Sequence, residues 1–252
     1  MKLRLLSDLH LEMNSYRYEP IGEDVLVLAG DIHTRNKHHL DILNLVPEST
    51  QILLVAGNHE YYRSVFEDVN AYLKSLEQTY PNLTFLNNSS TTVNGIPVYG
   101  GTMYTDFGLT GDPLSEFDAG RNINDFYLTQ VRVGKDETRK WTTNDHKEEH
   151  EKFCRGLKFF LADGSGADKR IVVSHFVPSM QLSHPRWRMS ALNPYFVSDM
   201  TRFMGWDGLW LCGHTHDCGH GQVGGTELWC NPYGYGNGKE NPHFNNELLL
   251  EI

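Results

Sequence analysis

Leu53-Leu54-Val55-Ala56-Gly57-Asn58-His59-Glu60 is an apolar run of strand length that stops abruptly in glycine, amide, imidazole and carboxylate. A buried strand gains nothing from those last four residues, so they belong to the loop at its carboxyl end. Four other segments repeat the pattern: LLSDLH ends in Asp8 and His10, VLVLAGD in Asp31, VVSH in His175, and LWLCGHTH in His214 and His216. In an open α/β sheet ligands gather outside the carboxyl ends of the strands, so residues far apart in sequence can converge there. Asp8, His10, Asp31, Asn58, His175, His214 and His216 are therefore expected to form one site.

The remaining pattern supplies the frame. Residues 3–7, 25–30 and 52–56 and the run RIVVS read as buried strands. Apolar positions Leu40, Leu43 and Val46 suggest a short helix over 36–46. Ser64 and Glu67 form a capping-box pattern ahead of Val65, Val69, Leu73 and Leu76, which predicts a helix over about 65–78. A second helix is expected over about 144–162, with Phe153, Leu157, Phe160 and Leu161 on one side. Asn94-Gly95 and Gly224-Gly225 sit between alternating residues as two-residue hairpin turns. Strands alternating with helices, with hairpins at the ends, predict an α/β fold of two packed sheets with helices outside. Residues 1–252 show no linker and read as one domain. Residues 102–143, rich in Gly, Asp, Asn and aromatics, show no sustained period. Their aromatics argue against disorder, and they are expected to form a lid-like insertion beside the ligands or a loop that covers core.

Composition narrows the chemistry. A formal net charge of −10 disfavours stable binding of long nucleic acid, which depends on lysine and arginine releasing counterions. A small phosphorylated substrate remains compatible, because metal ions supply positive charge locally. No apolar stretch is long enough to suggest a membrane span, and Met1–Leu6 leaves no room for a signal peptide before Asp8, so a cytoplasmic protein is expected. Cys154, Cys212, Cys218 and Cys230 lack CxxC spacing and read as free thiols. His33, His38, His39, His146, His150, His220 and His243 lie among polar residues and are expected mostly at the surface. His184, in SHPRWR, is the weak candidate for a phosphate-facing rim with Arg186 and Arg188. The NPYGY run at 231–235 is either a pocket wall or a plain turn.

The ligand set suits Mn, Fe, Zn or a similar divalent ion better than Ca. Seven ligands are too many for one such ion, whereas two ions sharing a carboxylate would use them all, and Asp31 is the natural bridge. Two ions about 3.5 to 4 Å apart clamp an in-line displacement and lower the pKa of a shared water, which makes the bridging hydroxide the nucleophile. His59, next to Asn58, is the candidate general acid. Glu60 either orients it or caps the chain turn.

The series DxH, GD, GNHE, a lone His and GHTH, carried by Asp8 to His10, Gly30-Asp31, Gly57 to Glu60, His175 and Gly213 to His216, resembles the calcineurin-like metallophosphoesterase superfamily. The resemblance implies a four-layer sandwich of two mixed β-sheets flanked by helices. It implies one metal on Asp8, His10, Asp31 and His216, a second on Asp31, Asn58, His175 and His214, and His59 as proton donor. Protein phosphatases of that superfamily carry GDxVDRG, but here the stretch runs Gly30-Asp31-Ile32-His33-Thr34-Arg35-Asn36, and Ala56 stands where they have arginine. Arg35 is left as a weak candidate for substrate contact. The chain is more similar to small single-domain bacterial and phage-type phosphoesterases. A phosphodiesterase acting on a small nucleotide-like substrate is the preferred expectation. The alternatives are a phosphomonoesterase or pyrophosphohydrolase with the same centre, and a non-catalytic binding module on the same fold.

Overall fold

The computed structural model describes residues 1–34, 42–163 and 167–252. The expected helix over 36–46 falls largely outside them, as do Arg35, His38 and His39. Five apolar runs form the strands on which the molecule is built. β1 (Lys2–Leu6), β2 (Val25–Ala29), β3 (Gln51–Val55) and β4 (Leu83–Phe85) lie side by side in parallel, and β12 (Leu249–Glu251) adds antiparallel to β1. The second sheet runs β11 (Gly219–Cys230), β10 (Gly205–Cys212), β9 (Arg170–Ser174), β6 (Ile96–Gly101), β5 (Ser89–Val93), with only the β5–β6 pair antiparallel.

Side-chain alternation along each strand settles how the layers stack. Leu3, Leu5, Val25, Val27, Leu53 and Val55 share one core with Val98, Ile171, Val173, Leu209 and Leu211, so these faces of the two sheets meet. The intervening residues, among them Leu26, Leu28, Leu54, Val172 and Trp210, belong to a second cluster with the helices. Strands buried on both faces need continuous apolar sequence, which is why VLVLA and ILLV show no alternation. The architecture is two mixed sheets flanked by helices, as the resemblance implies.

On the outer faces lie α1 (Phe66–Ser75), continued by a 3-10 turn at Leu76–Gln78, and α4 (Thr143–Ala162). The Ser64–Glu67 capping box does not form. Val65 is the N-cap, and the Glu67 carboxylate instead accepts the Arg132 N–H at 3.0 Å. The capping box belongs to α4, where Thr142 and Asp145 satisfy each other. His146 and His150 are buried on the face that carries Phe153 and Leu157, and His33 is buried as well, contrary to the expected surface position. Spacings of four, three and four residues put all four α4 side chains on one stripe, and the polar neighbours in sequence belong to the opposite face.

The Asn94-Gly95 turn joins β5 to β6 with both residues at positive φ. The Gly224-Gly225 turn is present within β11. The His220 and Trp229 rings stack at 4.0 Å, whereas nine residues of straight strand would span about 30 Å. Residues 102–143 hold more regular structure than expected: α2 (Leu114–Asn122), α3 (Asp125–Leu128) and a small hairpin of β7 (Gln130–Arg132) and β8 (Thr138–Lys140). Among the described residues no helix is long and apolar enough to cross a membrane.

Candidate metal centre

The seven ligand candidates converge at the carboxyl ends of β1, β2, β3, β9 and β10. The backbone brings them there by a route the strand-end reading did not foresee. In extended chain the two-residue spacing of Asp8 and His10, and of His214 and His216, would aim both side chains of each pair the same way. Instead all four, and Asp31, adopt positive φ between 44° and 76°. Such non-glycine conformations cost energy and persist only where the surroundings enforce them. Each turns the chain just past its strand, and the polar side chains gather at one centre. Glycine is required beside them. A Cβ at Gly57 would collide with the Asp31 carboxylate, and one at Gly213 with the Asp8 carboxylate and Ser7.

Two groups of metal-ligating atoms result, Asp8, His10 and His216 on one side and Asp31, His175 and His214 on the other, and a third set, His10, Asp31 and His59, overlaps both. His216 Nε2 lies 3.3 Å from Asp8 Oδ1 and 3.1 Å from His10 Nε2. His175 Nε2 lies 3.3 Å from Asp31 Oδ2, 3.2 Å from Asn58 Oδ1 and 3.1 Å from His214 Nδ1. Asp31 stands between the groups, its Oδ2 also 3.8 Å from His10 Nε2.

The opposite ring nitrogens decide what these atoms can be. His175 Nδ1 donates to the Ala29 carbonyl at 2.8 Å, and His216 Nδ1 meets Glu240 Oε2 at 2.6 Å. His10 Nδ1 meets Glu12 Oε1 at 3.1 Å. Held there, each ring turns its Nε2 inward, the arrangement that outer carboxylates and carbonyls impose on metal-binding histidines. Asn58 is fixed in the same sense: its amide nitrogen donates to Asp125 Oδ1 at 2.9 Å, leaving Oδ1 to face His175. Nitrogen and oxygen atoms about 3 Å apart need a proton or a metal ion between them.

The electrostatics agree. Burial would raise Asp8, but the His216 hydrogen bond and the His175 charge outweigh it and bring its pKa down to about 2. Asp31 is likewise held well below its usual value, burial being outweighed by His175 and His59. Burial would lower His175 and His216, yet the carboxylates push both up to about 10. Burial and the neighbouring His175 charge keep His214 neutral. Ionised carboxylates around rings that attract positive charge fit divalent cations well, and so does this donor set.

His59 begins a 3-10 turn, His59–Tyr61, and its N–H donates to Asp31 Oδ1 at 2.9 Å. Its ring rests on Tyr62, with centroids 4.2 Å apart, and its Nε2 lies 3.4 Å from the Tyr235 hydroxyl. Glu60 caps the chain turn: its carboxylate accepts the N–H groups of Gly57, Asp31, Ile32 and His33 at 2.6 to 3.3 Å. A cavity of about 390 Å³ opens over the centre, walled by Asp31, His59, Ile123, Trp187, Phe196 and Tyr235 among others. Tyr235 thus makes the NPYGY run a pocket wall. His184 is exposed and does not line the cavity, whereas Arg186 does, with its guanidinium tied to Asp217 at 2.7 Å. Arg188 turns back to the Ser183 carbonyl. Glu12, Glu240 and the role of Asp125 were not anticipated. Only Glu12 carried a signal, two residues beyond His10.

This strand-end centre defines a metal-dependent phosphoesterase. The chain belongs to the calcineurin-like phosphoesterase family, whose model matches residues 1–218. It is 26% identical to an uncharacterized protein, L509, of Acanthamoeba polyphaga mimivirus, a match covering 99% of this chain and 96% of that one. Among solved structures it resembles the phosphopantetheinyl hydrolase PptH of Mycobacterium tuberculosis, with a TM-score of 0.67 and 17% identity over 93% of this chain and 89% of that one. At that identity the likeness is one of fold.

Proposed function

We propose that this protein hydrolyses a small phosphodiester, nucleotide-like in size, at a two-metal centre. One ion would sit on Asp8, His10, Asp31 and His216, and the other on Asp31, Asn58, His175 and His214. The observation that carries the reading is the inward convergence of ligating atoms on side chains whose outer nitrogens are held by Ala29, Glu12, Glu240 and Asp125. Bound there, two divalent ions such as Mn, Fe or Zn would activate a water between them and neutralise charge on the phosphoryl oxygens.

The chain's own residues supply the rest. His59 lines the cavity and gives the proton to the leaving oxygen. Burial opposes its charged form, but Asp31 and Glu12 hold its pKa above the usual histidine value, a direction that favours the proton-carrying form an acid needs. Arg186 is the one arginine or lysine lining the cavity among the described residues, and it is already paired with Asp217, while Glu240 lines the same space. A diester with one negative charge suits such a wall better than a doubly charged monoester. Ile123 and Asn124, from the 102–143 segment, line the cavity, and that segment would act as a partial lid over the substrate. A cavity of this size takes a small substrate rather than long nucleic acid.

The test is a paired assay with Mn²⁺, comparing bis-p-nitrophenyl phosphate with p-nitrophenyl phosphate, with and without chelator. Metal-dependent turnover biased to the diester is the expected result. A bias to the monoester overturns the diester assignment, and no turnover of either in a metal-loaded sample overturns the hydrolytic one.

A further inference from the structure

Asp125 is fully buried, comes from the 102–143 segment, and carries no sequence motif. Its carboxylate accepts three hydrogen bonds: from Asn58 Nδ2 at 2.9 Å and the Tyr62 hydroxyl at 2.8 Å on Oδ1, and from the Tyr195 hydroxyl at 2.6 Å on Oδ2. These three partners back the centre from different sides. Asn58 presents its oxygen to His175, Tyr62 lies against the His59 ring at 4.2 Å, and Tyr195 packs near His214 at 5.5 Å. A buried carboxylate is costly unless its lone pairs are filled, and here every donor that fills them touches a different part of the site.

We infer that Asp125 is a positioning residue. By accepting the Asn58 amide N–H it forces the amide oxygen, not the nitrogen, toward the second metal position, and through Tyr62 it fixes the ring beneath the proton donor. The 102–143 segment thereby takes part in metal binding without supplying a ligand. The inference rests on the two-metal reading of the site.

It is tested on the full chain by measuring Mn²⁺ occupancy against buffered free metal, with no substrate present, for wild type, Asp125→Ala, Asp125→Asn and Tyr195→Phe. Outer groups that orient metal ligands typically change affinity about 10- to 100-fold. Asp125→Ala is expected to need that much more free Mn²⁺ for half-occupancy at the second position. Asp125→Asn keeps an oxygen for Asn58 and should recover most of the loss, while Tyr195→Phe should shift it only a few-fold. Excess Mn²⁺ should restore occupancy in folded Asp125→Ala, a rescue that a general packing defect would not show. Wild-type half-occupancy in folded Asp125→Ala overturns the inference. Should Asp125→Ala not fold, equal half-occupancy in Asp125→Asn, Tyr195→Phe and wild type overturns it instead. Because occupancy is read without substrate, metal binding that follows this order in a protein with no esterase turnover would sink the proposed activity and leave the positioning role standing.

Discussion

Two clusters of buried charge lie four residues apart in sequence, at Arg4 within β1 and at Asp8 just past its end. The two terminal nitrogens of the Arg4 guanidinium find acceptors, while its buried Nε–H has no hydrogen-bond partner. The guanidinium donates to the Glu19 carbonyl at 2.6 Å, Glu23 Oε1 at 3.2 Å and Asn246 Oδ1 at 2.9 Å, and lies over the Tyr18 ring. Glu23 in turn accepts the Tyr18 hydroxyl at 2.6 Å and the Ile21 N–H at 2.8 Å. That cluster is closed, because the protein supplies both signs of charge. Around Asp8 and Asp31 the protein supplies carboxylates, an amide oxygen and imidazoles, and the balancing charge is carried by protons on His175 and His216 that a divalent ion can displace. Burial and charge are common to both clusters. What separates a structural pair from a cation site is whether the balancing charge is a fixed guanidinium or an exchangeable imidazole proton.

Asp31→Asn should break the comparison most severely. Removing the carboxylate that stands between the two groups should release both ions together and reduce turnover by roughly 10³-fold, the scale of several kcal/mol of lost transition-state stabilisation. Metal analysis decides it: one ion retained at full occupancy would contradict the bridging position. Arg4→Met is its counterpart. It leaves Glu23 buried without its cation, which typically costs about 3–5 kcal/mol, read as a lower denaturation midpoint. Metal content should stay at the wild-type level, and a loss of metal in the folded variant would show that the two clusters are not independent.

His59→Ala should act more selectively. Metal content stays near wild type, while turnover falls by about 10²- to 10⁴-fold on esters with poor leaving groups, the usual contribution of a positioned acid. Aryl esters, whose leaving oxygen needs no proton, should lose far less. Equal losses on both would remove His59 from the acid role.

The same contrast explains what could be read from the chain alone. The converging candidate ligands are legible because each follows an apolar run of strand length and three of the segments place a glycine just before the candidate, a combination with a physical reason: Gly57 and Gly213 leave room for the carboxylates of Asp31 and Asp8. The groups that orient them are not. Glu240 and Asp125 act from segments with no period and no motif, and only the fold brings them to His216 and Asn58. The aim of Asp8 and His10 was legible in outcome but not in cause, since a two-residue spacing suggests extended chain while the backbone turns at positive φ. His146 and His150 were misplaced for a simpler reason. Their sequence neighbours are charged, yet helical spacing sets them on the face of Phe153 and Leu157.

Acid titration gives the smallest and most discriminating effect. Burial would raise the Glu23 pKa, but the Tyr18 hydroxyl, the Ile21 N–H and Arg4 together hold it below its ordinary value of 4.5. A carboxylate whose folded pKa is depressed binds protons more readily in the unfolded chain. Its stabilisation is therefore complete above about pH 4.5 and is lost as pH falls through the folded value. Glu23→Gln removes that titrating group, so the variant should start less stable at neutral pH, and the gap to wild type should narrow as pH falls below 4.5. Denaturation of the metal-free protein at a series of pH values isolates this effect, because ion release from the centre no longer contributes. A gap that stays constant down to pH 3 would mean that Glu23 does not titrate differently in the folded and unfolded chains, and that the Arg4 cluster is less closed than its hydrogen bonds imply.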